Sequence, residues 1–341
     1  MNRILLQGVG GVGGWLAAEL IRSHHDITLV TGNAAISAAI NRNGISLTTP
    51  EREFNVPATA YTTLDELPAT DRYDCAFLAM MAGGVVTAAA AARDLLHDDG
   101  YFVSFQNGFV EDAIGDAVGI ERVISATVAL GSSMEAPGVY RRTTPGRLII
   151  GEMDGTVSAR LEALQAILAH VVPTEISSNI IGVLWGKLIW NGAVSGLCAI
   201  SGKQLGELFD CAVGRELFLR AFYESVSTAR AEGVTIEPVI VAPDDYFSDP
   251  ADPPARRAAL LERCRAFVDK YIGVTPSTLE SLKRGRKSEI DFLNGYIRRR
   301  AQANGHAVPL NDHVIAMVHE IEAGQRQLSP ANLDELAARL E

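Results

Sequence analysis

Lys187 and Asn191 lie four residues apart in Leu184-Trp185-Gly186-Lys187-Leu188-Ile189-Trp190-Asn191, a run otherwise made of apolar residues and glycine. At helical spacing the two side chains share one face. An ammonium in such surroundings is costly unless it is paired or its pKa falls. A lysine kept there is suited to giving up a proton, or to holding negative charge that develops on an oxygen. The plainer alternative is a lysine that snorkels from a helix surface. The second group with chemistry is Gly8-Val9-Gly10-Gly11-Val12-Gly13. Gly8 permits a tight turn, and Gly10 lets the backbone approach a pyrophosphate seated on a helix N-terminus. Gly13 allows close packing of that helix on the preceding strand. Val9, Gly11 and Val12 complete the candidate dinucleotide loop.

The elements needed to position these groups are readable. Ile4-Leu5-Leu6-Gln7 predicts a short buried strand. A helix pattern follows through Trp15, Leu16, Ala18, Leu20 and Ile21, then a strand at Ile27-Thr28-Leu29-Val30. Strand, glycine turn, helix and strand within this span is the context a dinucleotide fingerprint requires. The alternation continues with strands at 73–80, 101–105 and 123–128 and a helix near 84–96, which predicts a mostly parallel, doubly wound sheet. Ligands gather at the carboxyl ends of such strands. Asn107, in Gln106-Asn107-Gly108, is there either a turn residue or a polar contact beside a nicotinamide. Gly138, Arg141, Arg142, Gly146 and the run Leu148-Ile149-Ile150-Gly151 predict a hairpin closing this domain. At the end of the second strand an acid would hold ribose hydroxyls and an arginine a 2′-phosphate. Val30-Thr31-Gly32-Asn33 offers neither, so NAD and NADP both stay open.

After Pro173 the pattern becomes helical, over about 179–197, 204–232, 255–272, 277–303, 308–323 and 331–340. The expected fold class is α/β: an N-terminal Rossmann-like doubly wound sheet (1–176, dinucleotide-binding) plus an all-α C-terminal domain (177–341, substrate-binding and dimerising). Ser277 begins Ser-Thr-Leu-Glu, a capping box with Glu280. Glu289, taken alone, reads as a solvated first-turn acid. The Pro- and Asp-rich stretch 236–254 is expected to be a solvated loop, with a lid or an oligomer contact as the sharper reading.

The chain has 341 residues, 48% hydrophobic and 21% charged, enough for sizeable cores. A net charge of −11 argues against a broad nucleic-acid surface. The four cysteines show no CxxC and the seven histidines no ligand spacing, so neither a metal site nor a disulfide framework is expected. The N-terminus shows no signal-peptide pattern. The nearly charge-free stretches 75–92 and 178–202 read as core, not membrane spans. A cytoplasmic location is the expectation.

Taken together, these segments resemble the ketopantoate reductase (2-dehydropantoate 2-reductase) family over nearly the whole chain. The shared residues are the GVGGVG loop, Gln106-Asn107-Gly108, Trp185-x-Lys187-x3-Asn191 and Pro276-Ser277-Thr278-Leu279. Glu289-Ile290-Asp291-Phe292-Leu293-Asn294-Gly295 and Gly305-x2-Val308-Pro309 complete them. The resemblance implies reduction of a small-molecule 2-oxo acid by NADP(H), with NAD(H) not excluded, as in pantothenate biosynthesis. Substrate and nicotinamide would meet in a cleft between a Rossmann and a helical domain, and a homodimer is implied by analogy. It makes Lys187 the catalytic lysine, Glu289 the active-site glutamate, and Asn191 and Ser277 substrate-binding residues. Ser195 stands at the family's second helix asparagine and is included with them. Departures are Gly32 in place of a basic residue, Met81 near the place of a lysine, and Leu205 and Val274 in place of asparagines. Together with the insertion near 236–254, they favour as rival an NAD-dependent 2-hydroxyacid dehydrogenase acting on a more apolar acid. A non-catalytic dinucleotide sensor is the rival from another class; retention of Lys187, Asn191, Ser277 and Glu289 together argues against it.

Overall fold

The computed structural model describes residues 3–242, 247, 249, 252–269 and 275–340. Much of the stretch 243–251 and Val274 therefore lie outside the described residues. The chain divides into two compact units, Met1–Ile180 and Ile181–Glu341.

The first unit contains β1 (Arg3–Gln7), α1 (Gly11–Arg22), β2 (Asp26–Val30), α2 (Ala34–Asn43), β3 (Ile45–Thr48), β4 (Glu53–Val56) and β5 (Ala60–Tyr61). These are followed by β6 (Tyr73–Leu78), α3 (Val85–Ala92), β7 (Leu96–Ser104), α4 (Glu111–Val118) and β8 (Val123–Ala129). The unit ends with β9 (Ser132–Ala136), β10 (Val139–Arg142), β11 (Arg147–Glu152), α5 (Ala159–Leu168) and β12 (Thr174–Ile176). The main sheet has eight strands in the order β12-β11-β8-β7-β6-β1-β2-β5. β5, β2, β1, β6, β7 and β8 run parallel; β11 pairs antiparallel with β8 and carries β12 parallel to itself. Its central strands read as continuous apolar runs because both faces are covered. Ile4, Leu6, Leu29, Phe77, Val103 and Ile124 are fully buried in one cluster with Trp15, Leu16 and Leu20 of α1. Each such side chain stabilises by about 1.5–3 kcal/mol. The strand order reverses between β1 and β6, which makes the carboxyl ends of these two strands the switch point where ligands bind in such sheets.

The expected closing hairpin is corrected by the structure. β9 and β10 do pair as a hairpin, but in a separate four-stranded sheet of order β4-β3-β10-β9. β11 instead joins the main sheet. β10 lies parallel to β3, which is nearly a hundred positions earlier in the chain, a pairing with no local signal.

The second unit is helical: α6 (Ile180–Ser201, its first residue in the first unit), α7 (Leu205–Asp210), α8 (Ala212–Ala231), α9 (Pro254–Val268), α10 (Ser277–Lys283), α11 (Asn294–Ala303), α12 (Pro309–Glu322) and α13 (Ala331–Ala338). Two expected long helices are interrupted. The 204–232 pattern breaks at Cys211, which is extended, and the 277–303 pattern breaks over Arg284–Leu293, around a 3₁₀ turn at Ile290–Phe292. α6 is the one described helix long and apolar enough to cross a membrane, yet 89% of that stretch is buried within the protein. It is a core helix. Burial pushes the Cys75, Cys198 and Cys264 thiols up to about 12, and all four cysteines are free.

Candidate active site

In the first unit the glycine loop crosses the switch point. Gly8 has φ +88°, and a Cβ there would fall 2.5 Å from the Met80 main-chain nitrogen. A Cβ on Gly13 would lie 1.9 Å from the Gly8 oxygen, so α1 is seated directly on the turn. Gly10 is different. It caps α1 without a side chain, and a Cβ there would meet no atom within 4 Å. The loop is thus closed against protein at Gly8 and Gly13 and open at Gly10, the position where a pyrophosphate needs backbone access. The residues present fit a dinucleotide. Val9 is buried at 1% exposure, whereas Gly11 and Val12 are half-buried at the helix entrance.

The small sheet buttresses this loop. The Tyr140 hydroxyl donates to the Val9 carbonyl at 2.9 Å, and the Ser132 hydroxyl donates to the Gly11 carbonyl at 2.8 Å. Gly14 leaves room for the Tyr140 ring, which a Cβ would approach to 2.0 Å. Neither Tyr140 nor Ser132 stands out in the sequence, because their partners lie more than a hundred positions away.

The carboxyl end of β7 carries Gln106 and Asn107. Asn107 is half-buried and followed by Gly108 at φ +88°. Gln106 is buried and ties the strand ends together. Its Nε2 donates to the Leu78 carbonyl at 2.8 Å and the Met80 carbonyl at 3.0 Å, while its Oε1 accepts from Ser104 Oγ at 2.8 Å. Its position in Gln-Asn-Gly at a strand end was the only available signal for this clamp.

Four residues after Asn107, at the start of α4, Glu111 is buried at 1% exposure. It accepts from Ser125 Oγ at 2.8 Å and the Val110 amide at 3.0 Å. Burial raises its pKa above the ordinary 4.5, despite these hydrogen bonds. A raised acid pKa means that the folded state keeps a proton the unfolded chain has released. The resulting stability is fully present below 4.5 and is lost as pH rises through the folded-state pKa. Glu111→Gln, which keeps the acceptor, is therefore expected to flatten the decline in urea midpoint from pH 4.5 upward. Parallel pH profiles for the variant and wild type would remove Glu111 from this linkage.

In the second unit, Lys187, Asn191 and Ser195 follow one face of α6. From Gly182 to Ser201, Lys187 and Asn191 are the only residues that are not buried. Ser195, one turn on, is 4% exposed. The helix is held by close approaches. A Cβ on Gly192 would lie 2.7 Å from Ile297 of α11, and one on Gly196 2.3 Å from Val314 of α12. Trp185 packs edge-on against Tyr296 of α11 at a ring separation of 5.8 Å.

Glu289 immediately precedes the 3₁₀ turn and is 6% exposed. The expectation of a solvated first-turn acid is corrected: it is a buried carboxyl group. Five residues later, Asn294 is fully buried; its Nδ2 donates to the Gly192 carbonyl at 2.8 Å and to Asn311 Oδ1 at 2.9 Å. Asn311 in turn donates to buried Glu224 at 2.7 Å. The Glu289 segment is thereby tied to the helix turn that follows Asn191. The hydrogen bond spans 102 positions.

Ser277 is exposed and is the first residue of α10. The predicted capping box is absent: extended Pro276 is the cap residue and makes no side-chain cap bond, and Glu280 pairs with Arg284. Proline presets φ at this place but brings no side-chain acceptor. The Ser277 hydroxyl is thus released from capping. Gln204 Nε2 donates to Thr275 Oγ1 at 3.3 Å, connecting the start of this segment to the entry of α7.

The comparisons with known proteins follow this division. The family described as ketopantoate reductase PanE/ApbA matches residues 4–155, and its C-terminal family matches residues 179–322. A 2-dehydropantoate 2-reductase from Mesorhizobium japonicum is 26% identical, over 94% of this chain and 97% of that protein. The crystal structure of a PanE/ApbA family ketopantoate reductase from Ralstonia eutropha JMP134 is 29% identical with a TM-score of 0.80, covering 95% of this chain and 99% of the other. D-mandelate dehydrogenase, in a ternary structure with NADH and anilino(oxo)acetate, shares the fold at 21% identity and a TM-score of 0.81, covering 95% and 99%. The chain therefore belongs to the ketopantoate reductase PanE/ApbA family, and is a nicotinamide-dependent oxidoreductase that reduces a 2-oxo acid to its 2-hydroxy acid.

Proposed function

We propose that Lys187 is the general acid of this reduction and that Asn191, Ser195 and Ser277 orient the 2-oxo acid. The observation that carries this reading is the polar window of α6: on a helix otherwise buried from Gly182 to Ser201, the lysine and the asparagine one turn later are what remains accessible. Gly8–Gly13 would hold the dinucleotide, with Asn107 as a polar contact for the nicotinamide, and the bound group would supply a hydride to the ketone carbon. As that C–H bond forms, the carbonyl π electrons move onto oxygen. Lys187 Nζ stabilises this charge and donates the proton that completes the alcohol. Solvent reprotonates the lysine. Buried Glu289 has two roles open to it, as partner of the ammonium or as acceptor for a substrate hydroxyl.

The dinucleotide-binding role belongs to the first unit, and the substrate-binding and dimerising role to the second. A cytoplasmic location is part of the same reading. For the coenzyme, the family resemblance implies NADP(H), with NAD(H) not excluded. The substrate implied is ketopantoate, whose family reaction serves pantothenate biosynthesis. A more apolar 2-oxo acid is the second reading, favoured by Leu205, which stands where the family has an asparagine and is 4% exposed. A site lacking a hydrogen-bond partner for a substrate hydroxyl discriminates poorly in its favour.

A 340 nm assay over 2-oxo acids with and without hydroxyl groups tests this. Reduction of ketopantoate with the highest kcat/KM is the expected result. Preference for an aryl or branched 2-oxo acid would select the second reading, and failure of every member to oxidise reduced coenzyme would overturn both.

A further inference from the structure

We infer that this reductase uses NADH in preference to NADPH, and that the selection is made by the neutral turn Thr31–Asn33 together with the carboxylate of Glu66. The inference rests on the reading that Gly8–Gly13 bind a dinucleotide, since the adenosine ribose then falls at the end of β2.

A 2′-phosphate brings about 1.5–2 negative charges to that place and calls for a cation or a set of free donors. The chain provides neither there. Residues 31–41 contain no charged side chain. The first cation after them, Arg42, lies in the last turn of α2, about 12 Å along the helix from Ala34. The N-terminus of α2 would itself attract a phosphate. However, two of its amides are already engaged: Asn33 Oδ1 accepts from the Ala35 N–H at 3.0 Å and the Ile36 N–H at 3.2 Å. The Thr31 hydroxyl is turned inward onto the Asn33 main chain and Ser37 Oγ, at 2.9 and 2.6 Å.

The strand beside the β2 end adds charge of the wrong sign. The Gly32 amide donates to the Thr62 carbonyl at 3.0 Å, and the Thr62 amide donates to the exposed Glu66 carboxylate at 3.0 Å. Asp65 lies next to it, also exposed. Arg141 and Arg142 of β10, in the small sheet that carries Tyr140, are ion-paired with Glu135 and Glu51. A ribose diol, by contrast, needs only hydrogen bonds, and the exposed Asn33 amide offers neutral ones.

Fluorescence titration of the purified protein with NADH and with NADPH, without substrate, tests the inference directly. NADH should bind about tenfold or more tighter, because the 2′-phosphate of NADPH would find no cation at this turn and would meet the like charge of Glu66. Ala34→Arg, at the exposed first position of α2, should tighten NADPH by about tenfold at low salt and leave NADH within about twofold. Glu66→Gln, which keeps the acceptor for the Thr62 amide, should favour NADPH in the same direction by a smaller factor. Equal affinity for the two coenzymes, or tighter NADPH, overturns the inference while leaving dinucleotide binding intact. Absence of binding by either coenzyme would overturn the dinucleotide reading and this inference with it.

Discussion

Lys187→Ala is expected to lower kcat by about 10²–10⁴-fold, the usual worth of a positioned general acid. Coenzyme affinity should stay within about twofold of wild type, because a group acting on the reacting oxygen adds nothing to the binding of the dinucleotide. The substitution is structurally mild. The lysine is only half-buried, and alanine favours the helix. Lys187→Arg separates two contributions. Arginine keeps the positive charge but does not release its proton at working pH. If proton donation dominates, the arginine variant stays as slow as the alanine one; if charge stabilisation dominates, it recovers much of the rate. Unchanged turnover of Lys187→Ala across the 2-oxo acid panel would end its assignment as the acid.

The second large effect distinguishes two glycines of one loop. A methyl group on Gly13 would sit 1.9 Å from the Gly8 oxygen, a main-chain atom that cannot swing aside. Gly13→Ala is therefore expected to cost about 3 kcal/mol, the upper range for an overpacked core position. In a domain of this size that corresponds to a melting temperature lower by about 6–12 °C. Gly10→Ala meets no protein atom within 4 Å and has an ordinary negative φ of −81°. Its stability should stay within about 1 kcal/mol of wild type. Its dinucleotide affinity should nonetheless fall about tenfold or more, because the methyl group occupies the space left for the ligand. Thermal melts paired with coenzyme titrations check both. Equal loss of stability in the two variants would show that Gly10 serves the fold and not a ligand.

The groups proposed to do chemistry were read from the sequence because each rests on local order. The glycine loop reads from its placement between a strand and a helix within thirty residues. Lys187 and Asn191 read from a four-residue spacing in an apolar run, and the structure gives them the one accessible stretch of α6 beyond Ile181. The supports of those groups were not legible. Tyr140 and Ser132 hold the glycine loop from a sheet whose β3–β10 pairing joins distant segments. Asn294 reaches Gly192 across 102 positions. Gln106 could be seen as polar, but not as a clamp on two carbonyls of β6 and its following turn. Ser277 was misread as a cap because Ser-x-x-Glu has the same spacing whether the cap is the serine itself or the residue before it.

By itself, then, the amino-acid sequence determined the alternation of strands and helices, the change to a helical second half, and which side chains share a face. These follow from periodicity and from the restricted backbone choices of glycine and proline, both of which act over a few residues. Only tertiary structure decided the burial of Glu111 and Glu289, the strand order that sets the switch point between β1 and β6, and the hydrogen bonds that lock the loop and α6 in place. Desolvation and long-range pairing are properties of what surrounds a residue, and those surroundings come from parts of the chain far removed in sequence.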